Sequence, residues 1–556
     1  METSSPTPRN GGQILVEALR RHACDTVYCV PGESYLPVLD ALQGRDDIQT
    51  IVTRHEGAAS NMADAYGKLT GRPGIAFVTR GPGATHAANG VHTAMQDSTP
   101  MVLFIGQIDT GIREREGFQE VDYRQMFGSL CKWATEIEDI ARIPEIVNRA
   151  FSVAMSGRKG PVVVALPEDV LFGSAPVADL APARISEAAA DAQTVAEIGQ
   201  ALANAQRPLV IVGGTGWSPA ACAALQQFVQ RFNLPVAAGF RRQDLLDNRD
   251  PHYVGQLGLG ISPALAERVR RADLLLVIGS RMSEVTSGSY ALIQAPRPAQ
   301  QLIHIHADAN ELNRVFRADI PLNATVAAAI QSLAQLAAPT GAPAWDDWAA
   351  SARADYVQHN TPVPRAPQQS GVELSSVVAH LSRTLADDAI LANGAGNYTV
   401  WVHRFFQYKQ AGTELAPTNG AMGYGLPAAI AAKLARPQST VVCFAGDGCL
   451  MMYPQELATA VQYNAAVIVI VVNNGMLGTI RMHQEREYPG RVSATALVNP
   501  DFVAFAQSFG AYAERVTSEQ DFAAAFERAQ TSGRAALLEL CTDPAQITPS
   551  ARLAAA

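Results

Sequence analysis

Short apolar runs recur along the whole chain, and Gly or Pro bounds nearly every one. The first third has GIAFV, MVLFIG and PVVVALP, the middle has PLVIV and LLLVIG, and the last third has VVCFAG and AVIVIVV. A continuous run of five to eight apolar residues between such bounds predicts a buried strand of a parallel sheet. Ala-rich stretches separate the runs and predict helices, so the pattern indicates repeated α/β units.

Two stretches rich in Pro, Ala and polar residues interrupt this alternation, at about 172–193 and 336–371. Such compositions are typical of linkers between domains. We therefore predict an α/β fold with three doubly wound parallel-sheet domains, at 1–185, 190–340 and 368–556. In sheets of this kind, ligands bind at the carboxyl ends of the strands.

Composition narrows the class of protein further. The 556 residues are 48% apolar and 17% charged, with a net charge of −9 and no basic block. Nucleic acid and anionic membranes are therefore not expected as partners. The start METSSPTPRN lacks the apolar core of a signal peptide. Seven scattered cysteines without a CxxC pair favour reduced thiols, so we expect a cytoplasmic protein.

Two predicted neighbouring strands of the last domain end on polar residues. The run VVCFAG leads into Asp447, and AVIVIVV leads into Asn473 and Asn474, with a predicted helix near Tyr453 between them. A right-handed crossover places both strand ends at the same edge of the sheet. Oxygen ligands from Asp447 and Asn474 suit Mg²⁺, which completes its shell with phosphate and water.

The glycines around this aspartate fit a diphosphate ligand. Gly446 and Gly448 permit a sharp turn and a close backbone approach, and the N–H groups of Gly448 and Cys449 are expected to face the phosphates. An ordinary strand-to-turn Asp is the alternative for an isolated GDG. The sequence GDG, 24 further residues and then NN matches the signature of thiamine diphosphate (ThDP) enzymes.

Several separated motifs extend this match over nearly the whole chain. The chain resembles the acetohydroxyacid synthase branch of the ThDP-dependent decarboxylase and carboligase family. That family has a pyrimidine-binding, a middle and a diphosphate-binding domain, in the order of the three segments predicted above. The resemblance implies ThDP and Mg²⁺ as cofactors, with the backbone carbonyl of Met476 as a third metal ligand.

The resemblance also places the family's catalytic glutamate on Glu56, in TRHEGAASNMADAYGKLTG. A carboxyl group bonded to N1′ of the aminopyrimidine favours the imino tautomer, whose 4′-nitrogen becomes the base beside the thiazolium C2. The alternative for Glu56 alone is a solvated glutamate on a helix surface.

Further cofactor contacts follow from two more motifs. In TNGAMGYGLPAAIAA, Met422 is expected beneath the bend of the cofactor, and the carbonyl of Gly420 is expected to accept from the 4′-amine. Core packing is the alternative for this methionine. ANGAGNYTVW resembles the diphosphate loop, with Gly396 and Asn397 as contacts, and Leu477 is a further predicted contact.

The substrate side shows departures from the synthase pattern. VPGESYLPVLDALQ has Glu33 where synthases usually carry Gly and pyruvate decarboxylases carry Asp. Glu33 is therefore a candidate second acid/base group, its pKa raised by a partly apolar pocket, or else a loop glutamate facing water.

The segment REGFQEVDYRQMF resembles the synthase Phe-Gln-Glu motif. It implies Phe118 at the pocket mouth, a catalytic part for Gln119 and Lys132 nearby; a generic amphipathic segment is the alternative. Ile480 is predicted to line the substrate pocket. His483 stands where synthases typically have Trp, and a surface position is an equal interpretation for it.

The resemblance implies active sites shared between chains, because the family pairs the first and third domains across subunits. A homodimer or homotetramer is therefore expected. FAD is a further cofactor that we do not favour, since SRMSEV departs from the Arg-Phe-Asp-Asp-Arg of FAD-binding synthases.

The favoured function is decarboxylation of a 2-oxoacid followed by ligation of the acyl carbanion to a second carbonyl. Simple decarboxylation that releases an aldehyde is the close alternative. A nicotinamide or flavin oxidoreductase would need GxGxxG after a first strand, and neither GPGATHAANG nor GGTGWSP fits. A non-catalytic homologue would have lost Glu56 or the metal residues, and all are present.

Overall fold

A computed structural model describes residues 7–339, 341–363 and 370–553. It contains three six-stranded parallel sheets flanked by helices, one in each predicted domain, which confirms the α/β prediction. Every apolar run named above forms a buried strand, because both faces of these sheets are covered.

The N-terminal domain is built on a sheet of order β3-β2-β4-β5-β7-β6, with a small β1-β8 pair beside it. Its strands are β1 (Arg9–Asn10), β2 (Thr26–Cys29), β3 (Gln49–Val52), β4 (Gly74–Val78), β5 (Met101–Gln107), β6 (Trp133–Glu136), β7 (Pro161–Pro167) and β8 (Ser174–Ala175). Its helices are α1 (Gly11–Arg21), α2 (Leu36–Leu42), α3 (Glu56–Thr70), α4 (Gly81–Asp97), α5 (Tyr123–Phe127), α6 (Ile143–Met155) and α7 (Glu168–Phe172).

The middle domain repeats this design with the sheet order β11-β10-β9-β12-β13-β14. Its strands are β9 (Pro208–Val212), β10 (Val236–Ala238), β11 (Tyr253–Gln256), β12 (Leu274–Ile278), β13 (Gln301–His306) and β14 (Ile320–Asn323). Its helices are α8 (Ala192–Asn204), α9 (Pro219–Phe232), α10 (Pro263–Arg271) and α11 (Val326–Leu333), followed by α12 (Asp346–Asn360).

The C-terminal domain has the sheet order β16-β15-β17-β18-β20-β19 and a terminal hairpin. Its strands are β15 (Ile390–Asn393), β16 (Glu414–Leu415), β17 (Val441–Gly446), β18 (Ile468–Asn473), β19 (Tyr512–Val516), β20 (Ala536–Cys541), β21 (Gln546–Thr548) and β22 (Ala551–Arg552). Its helices are α13 (Leu374–Thr384), α14 (Tyr398–Phe405), α15 (Gly425–Ala435), α16 (Asp447–Leu450), α17 (Glu456–Gln462), α18 (Gly478–Glu487), α19 (Phe502–Ser508) and α20 (Glu519–Thr531).

By its internal contacts the chain forms two compact units. The first contains the N-terminal domain up to Ser186 together with Leu426–Pro437 and Tyr453–Ala465; the second contains Glu187–Gly425, Gln438–Met452 and the chain from Ala466 onward. Most of α15 and all of α17 therefore belong to the first unit.

One helix differs from the prediction. The helix expected near Tyr453 begins at Glu456, and a separate helical turn starts at Asp447 directly after β17. The reason is that Gly446 is extended at the strand end, and the backbone turns into helix at the next residue.

Candidate active site

A cavity of about 290 Å³ lies in the second unit, among the segments that follow β15, β17 and β18. These strands are neighbours in the sheet, and the chain order reverses between β15 and β17, where doubly wound sheets bind ligands. All twelve residues predicted for cofactor, metal or substrate in the C-terminal domain line this cavity. They are Gly396, Asn397, Gly420, Met422, Gly446, Asp447, Gly448, Cys449, Asn474, Met476, Leu477 and Ile480.

The carboxylate of Asp447 stands at the centre of a hydrogen-bond cluster. One oxygen accepts from the backbone N–H of Gly448 at 2.9 Å. The other accepts from the N–H of Gly475 at 2.9 Å and from Nδ2 of Asn499 at 2.8 Å. Burial raises the pKa of Asp447, and these donors oppose the rise because they stabilise the charged form.

The N–H of Gly448 was expected to face a diphosphate. In the structure it donates instead to the side chain of its neighbour Asp447, because the helical turn begins at that aspartate. The sulfur of Cys449 accepts from the N–H of Gly423 at 3.2 Å and from the hydroxyl of Tyr398 at 3.4 Å. The glycine at 448 matters for space, since a Cβ there would lie 2.8 Å from Leu477 and 3.8 Å from Met422.

The two asparagines after β18 have different surroundings. Asn473 donates to Glu539 of β20 at 2.8 Å, and Asn474 lines the cavity. The side-chain oxygen of Asn474 accepts from the N–H of Met476 at 3.2 Å, closing a turn in which Gly475 has a φ of +67°. Asn499 donates to Asn473 at 3.0 Å as well as to Asp447, so one side chain ties the ends of β17 and β18 together.

The loop after β15 forms another wall. Gly396 has a φ of +146°, and Oδ1 of Asn397 accepts from the hydroxyl of Thr479 at 2.9 Å. The guanidinium of Arg241, in the middle domain, donates to the carbonyl of Gly394 at 2.9 Å and also to the carbonyl of Pro417. Arg241 is buried and therefore fixes the loops that carry Gly396 and Gly420.

Sequence reasoning missed Asn499, Arg241 and part of the cavity lining. The segment leading into α13, helix α14 and the chain after β20 also contribute, including Val372, Leu374, Trp401 and Ile547. Asn499 lies 52 residues from Asp447 and belongs to no motif considered above. Only the folded backbone shows which distant residues line the cavity and which, like Asn499 and Arg241, support its walls.

Glu56 is the first residue of α3 in the first unit. Its Oε2 lies 2.9 Å from Nδ1 of His86 on α4. The ring of His86 stacks on His55 at a centroid distance of 4.5 Å. These three residues are the one group of His, Cys, Asp or Glu side chains with metal-binding spacing in the described ranges.

The environment of Glu33 differs from the expected partly apolar pocket. Its side chain is 74% exposed and pairs with Arg80 at 2.6 Å. Arg80 is buried and also approaches Glu168 at 3.2 Å. Glu33 therefore faces solvent and Arg80, because Arg80 lies in the short link between β4 and α4 and reaches both carboxylates.

Phe118 and Gln119 lie beside the start of α4, where the carbonyl of Gln119 accepts from the N–H of Gly81 at 3.1 Å. Phe118 is 72% exposed, and its ring centroid is 5.9 Å from the guanidinium carbon of Arg80. The prediction that Lys132 lies near them is wrong. Lys132 directly precedes β6 and so lies at the amino ends of the strands, whereas Phe118 and Gln119 lie at the carboxyl ends. Its ammonium donates to the carbonyls of Val153 and Ser156 at the end of α6.

The two residues on α18 for which a pocket position was predicted, Ile480 and His483, have different environments. Ile480 lines the cavity although half of it is exposed, whereas His483 is exposed and bonds to Arg486 at 3.0 Å. None of the described helices combines the length and the apolar character needed to cross a bilayer.

Three α/β domains, with a cavity at the carboxyl ends of the last sheet, define a multidomain ligand-binding α/β protein. Family models described as thiamine pyrophosphate enzyme match all three domains. The N-terminal TPP binding domain matches residues 9–126, the central domain 195–333 and the C-terminal TPP binding domain 394–540.

Full-length relatives agree with these matches. The acetolactate synthase large subunit of Parasynechococcus marenigrum is 32% identical over 95% of this chain and 87% of the relative. The acetolactate synthase isozyme 2 large subunit of Escherichia coli is 30% identical over 96% of each chain. The mitochondrial acetolactate synthase catalytic subunit of Saccharomyces cerevisiae is 29% identical over 96% of this chain and 80% of the relative.

The chain belongs to the thiamine pyrophosphate enzyme family, in its decarboxylase and carboligase class.

Proposed function

We propose that this enzyme decarboxylates a pyruvate-like 2-oxoacid and joins the acyl group to a second carbonyl, in the manner of an acetolactate synthase. One observation carries the proposal. Residues from separate motifs after β15, β17 and β18 meet around a single cavity that contains the buried carboxylate of Asp447. The names of the relatives favour ligation over other reactions of the class.

The donor set around Asp447 fits Mg²⁺. Among the described residues, no Lys, Arg or His pairs with its carboxylate, whose partners are neutral N–H donors, although burial disfavours an uncompensated charge. A hard cation held by Asp447, Asn474 and the carbonyl of Met476 would supply the missing positive charge.

The remaining cavity residues fit ThDP. Gly396 and Asn397 would hold the diphosphate, with Gly446, Gly448 and Cys449 at the turn beside it. The turn at Gly448 is closely packed, since a Cβ there would lie 2.8 Å from the side chain of Leu477 and 3.1 Å from that of Leu497. The carbonyl of Gly420 would accept from the aminopyrimidine, and Met422 and Leu477 would pack against the cofactor.

When bound, ThDP supplies a carbon that adds to the keto group and accepts the electron pair released with CO₂. Glu56 would hold a proton at the pyrimidine N1′. Glu33 is the proposed second acid/base group and Gln119 a polar catalytic contact. Phe118 and Ile480 would line the substrate pocket, and their exposed apolar side chains could cover the reacting carbon from water.

The active site is proposed to form between two copies of the chain, because the family pairs the first and third domains across subunits. We therefore propose a homodimer or homotetramer in the cytoplasm. FAD is not part of this proposal.

Aldehyde release remains the second candidate. Glu33 stands where pyruvate decarboxylases carry an acid, and His483 stands where synthases carry the Trp that shapes the acceptor pocket. The side chain of His483 is exposed and bonds to Arg486, so it does not take the place of that Trp in the acceptor pocket.

A donor and acceptor panel with product mass analysis tests the proposal, on full-length protein reconstituted with ThDP and Mg²⁺. Pyruvate alone and pyruvate with other 2-oxoacids or aldehydes should give carbon–carbon-coupled products. Aldehyde as the sole product would favour the second candidate, and no consumption of any 2-oxoacid would reject both. Asp447→Asn protein, run in parallel, should form no product and so shows that turnover belongs to this site.

A further inference from the structure

His86 is the one residue whose side chain bonds to the carboxylate of Glu56 in the described ranges. The two side chains come from different helices, α3 and α4, and meet at 2.9 Å. We infer that His86 is a positioning residue for Glu56, holding one carboxylate oxygen so that the other is presented to the cofactor. This inference rests on the proposed role of Glu56.

The second carboxylate oxygen of Glu56, Oε1, makes no hydrogen bond to any described residue and lies against the start of α4. The first turn of α4 passes there, and a Cβ added to Gly83 would lie 3.4 Å from Oε1. Because Oε2 is held by His86 and Oε1 faces this glycine, the two oxygens are not equivalent. The arrangement therefore leaves Oε1 to reach a ligand.

The ring of His86 is itself fixed by stacking. His55 lies against it with an angle of 26° between the ring planes, and Tyr453 packs on His55 at 5.1 Å. Nδ1 of His55 accepts from the N–H of Gly57 at 3.0 Å, which sets the orientation of that ring. A histidine so held is unlike a solvated surface residue, although half of its side chain is exposed.

The chemistry of the pair follows from donor positions. While Glu56 is ionised, Nδ1–H of His86 donates to Oε2 and stabilises the carboxylate. Without that donor the carboxyl group can rotate about its last bond, so Oε1 no longer points in one direction. Loss of one hydrogen bond to a charged group typically changes an equilibrium about 10-fold or more.

A matched pair of substitutions isolates this bond. The side-chain nitrogen of Asn lies where Nδ1 of His lies, whereas the nitrogen of Gln corresponds to Nε2 and points elsewhere. Neither residue titrates. The readouts are the rate of deuterium exchange at C2 of bound ThDP, without substrate, and the Kd of ThDP, both on full-length protein with Mg²⁺.

We expect His86→Asn to exchange within about 3-fold of the wild-type protein and His86→Gln about 10-fold or more slowly. The Kd of ThDP should stay within about 3-fold in both, since His86 acts through Glu56. Equal exchange rates in the two variants would overturn the inference. If His86→Gln fails to fold, His86→Ala must show the same slow exchange, and a wild-type rate there would equally overturn it.

Glu56→Gln separates this inference from the function on which it rests. Exchange at the wild-type rate in Glu56→Gln would reject the proposed role of Glu56 itself. Slow exchange in Glu56→Gln together with equal rates in the two His86 variants would reject only the positioning role.

Discussion

The carboxylate of Glu456 on α17 accepts the backbone N–H of Arg54 at 3.0 Å, two residues before Glu56. Glu456 is fully buried, and the hydroxyl of Thr459 donates to it at 2.6 Å. The segment that leads into α3 is thus held by an acidic side chain distant in sequence. Burial raises the pKa of Glu456 to about 7, and the hydrogen bonds oppose the rise.

Glu456 should make the stability of the protein depend on pH. Its folded pKa is raised above the ordinary 4.5, so the folded state binds a proton more tightly than the unfolded state between these values. Its contribution is therefore present below about pH 4.5 and is lost as pH rises towards 7, by about 3 kcal/mol in total. Glu456→Gln cannot titrate and should lack this loss.

Thermal unfolding of both proteins at several values between pH 5 and 8 measures the effect. The Tm of the wild-type protein should fall relative to that of Glu456→Gln as pH rises. Glu527→Gln, at an exposed position of α20, serves as the control and should follow the wild type. Parallel curves for the wild-type protein and Glu456→Gln would contradict the prediction.

Asp447→Asn should abolish stabilisation by cofactor without unfolding the protein. The substitution removes a buried charge that no basic side chain in the described residues neutralises, but it also leaves one N–H donor without an acceptor, so the protein without cofactor should stay folded with a modestly lower Tm. Ligand at 100 times its Kd stabilises a folded protein by about 2.7 kcal/mol, which gives a clear rise in Tm.

Thermal unfolding with and without ThDP and Mg²⁺ measures the effect of this substitution on Tm. The wild-type protein and the exposed-site control Asp46→Asn should both show the rise in Tm. A full rise in Asp447→Asn would remove this carboxylate from the proposed metal site.

The sequence predicted the positions of site residues that follow strands better than the positions of residues that support the site from elsewhere in the chain. Asp447 and Asn474 come at the ends of two apolar runs, so the parallel-sheet rule alone places them at one edge, whereas Gly396 was identified only through the motif match. Arg241 could not be found this way, because its two carbonyl partners lie more than 150 residues away along the chain. The position of Lys132 was predicted wrongly because a motif match shows only which residues are close in sequence. It does not show at which end of the strands each of them lies.

Asn499→Ala should weaken metal binding although the residue is not a proposed ligand. Its amide donates to Asp447 at 2.8 Å and to Asn473 at 3.0 Å, and so orients the carboxylate. Losing such an outer partner typically costs 10- to 100-fold in metal affinity. Titration of ThDP-dependent stabilisation with Mg²⁺ should shift to higher concentration by about that factor. An unchanged midpoint of the Mg²⁺ titration would show that Asn499 does not affect metal binding.

Gly396→Ala tests the loop after β15, where both backbone and space require glycine. A φ of +146° is strained for any residue with a Cβ, at a cost of about 1–3 kcal/mol. The added methyl would also lie 2.8 Å from the ring of Tyr398. That ring cannot move freely, since its hydroxyl accepts from the N–H of Gly394 at 3.1 Å and donates to Cys449.

We therefore expect Gly396→Ala to have a lower Tm and a Kd of ThDP raised about 10-fold or more, because Cys449 and Gly394 lie beside the cavity. Gly111→Ala, where a Cβ meets nothing within 4 Å, should change neither quantity. Equal behaviour of the two variants in thermal scans and ThDP titrations would show that the loop tolerates a side chain at 396.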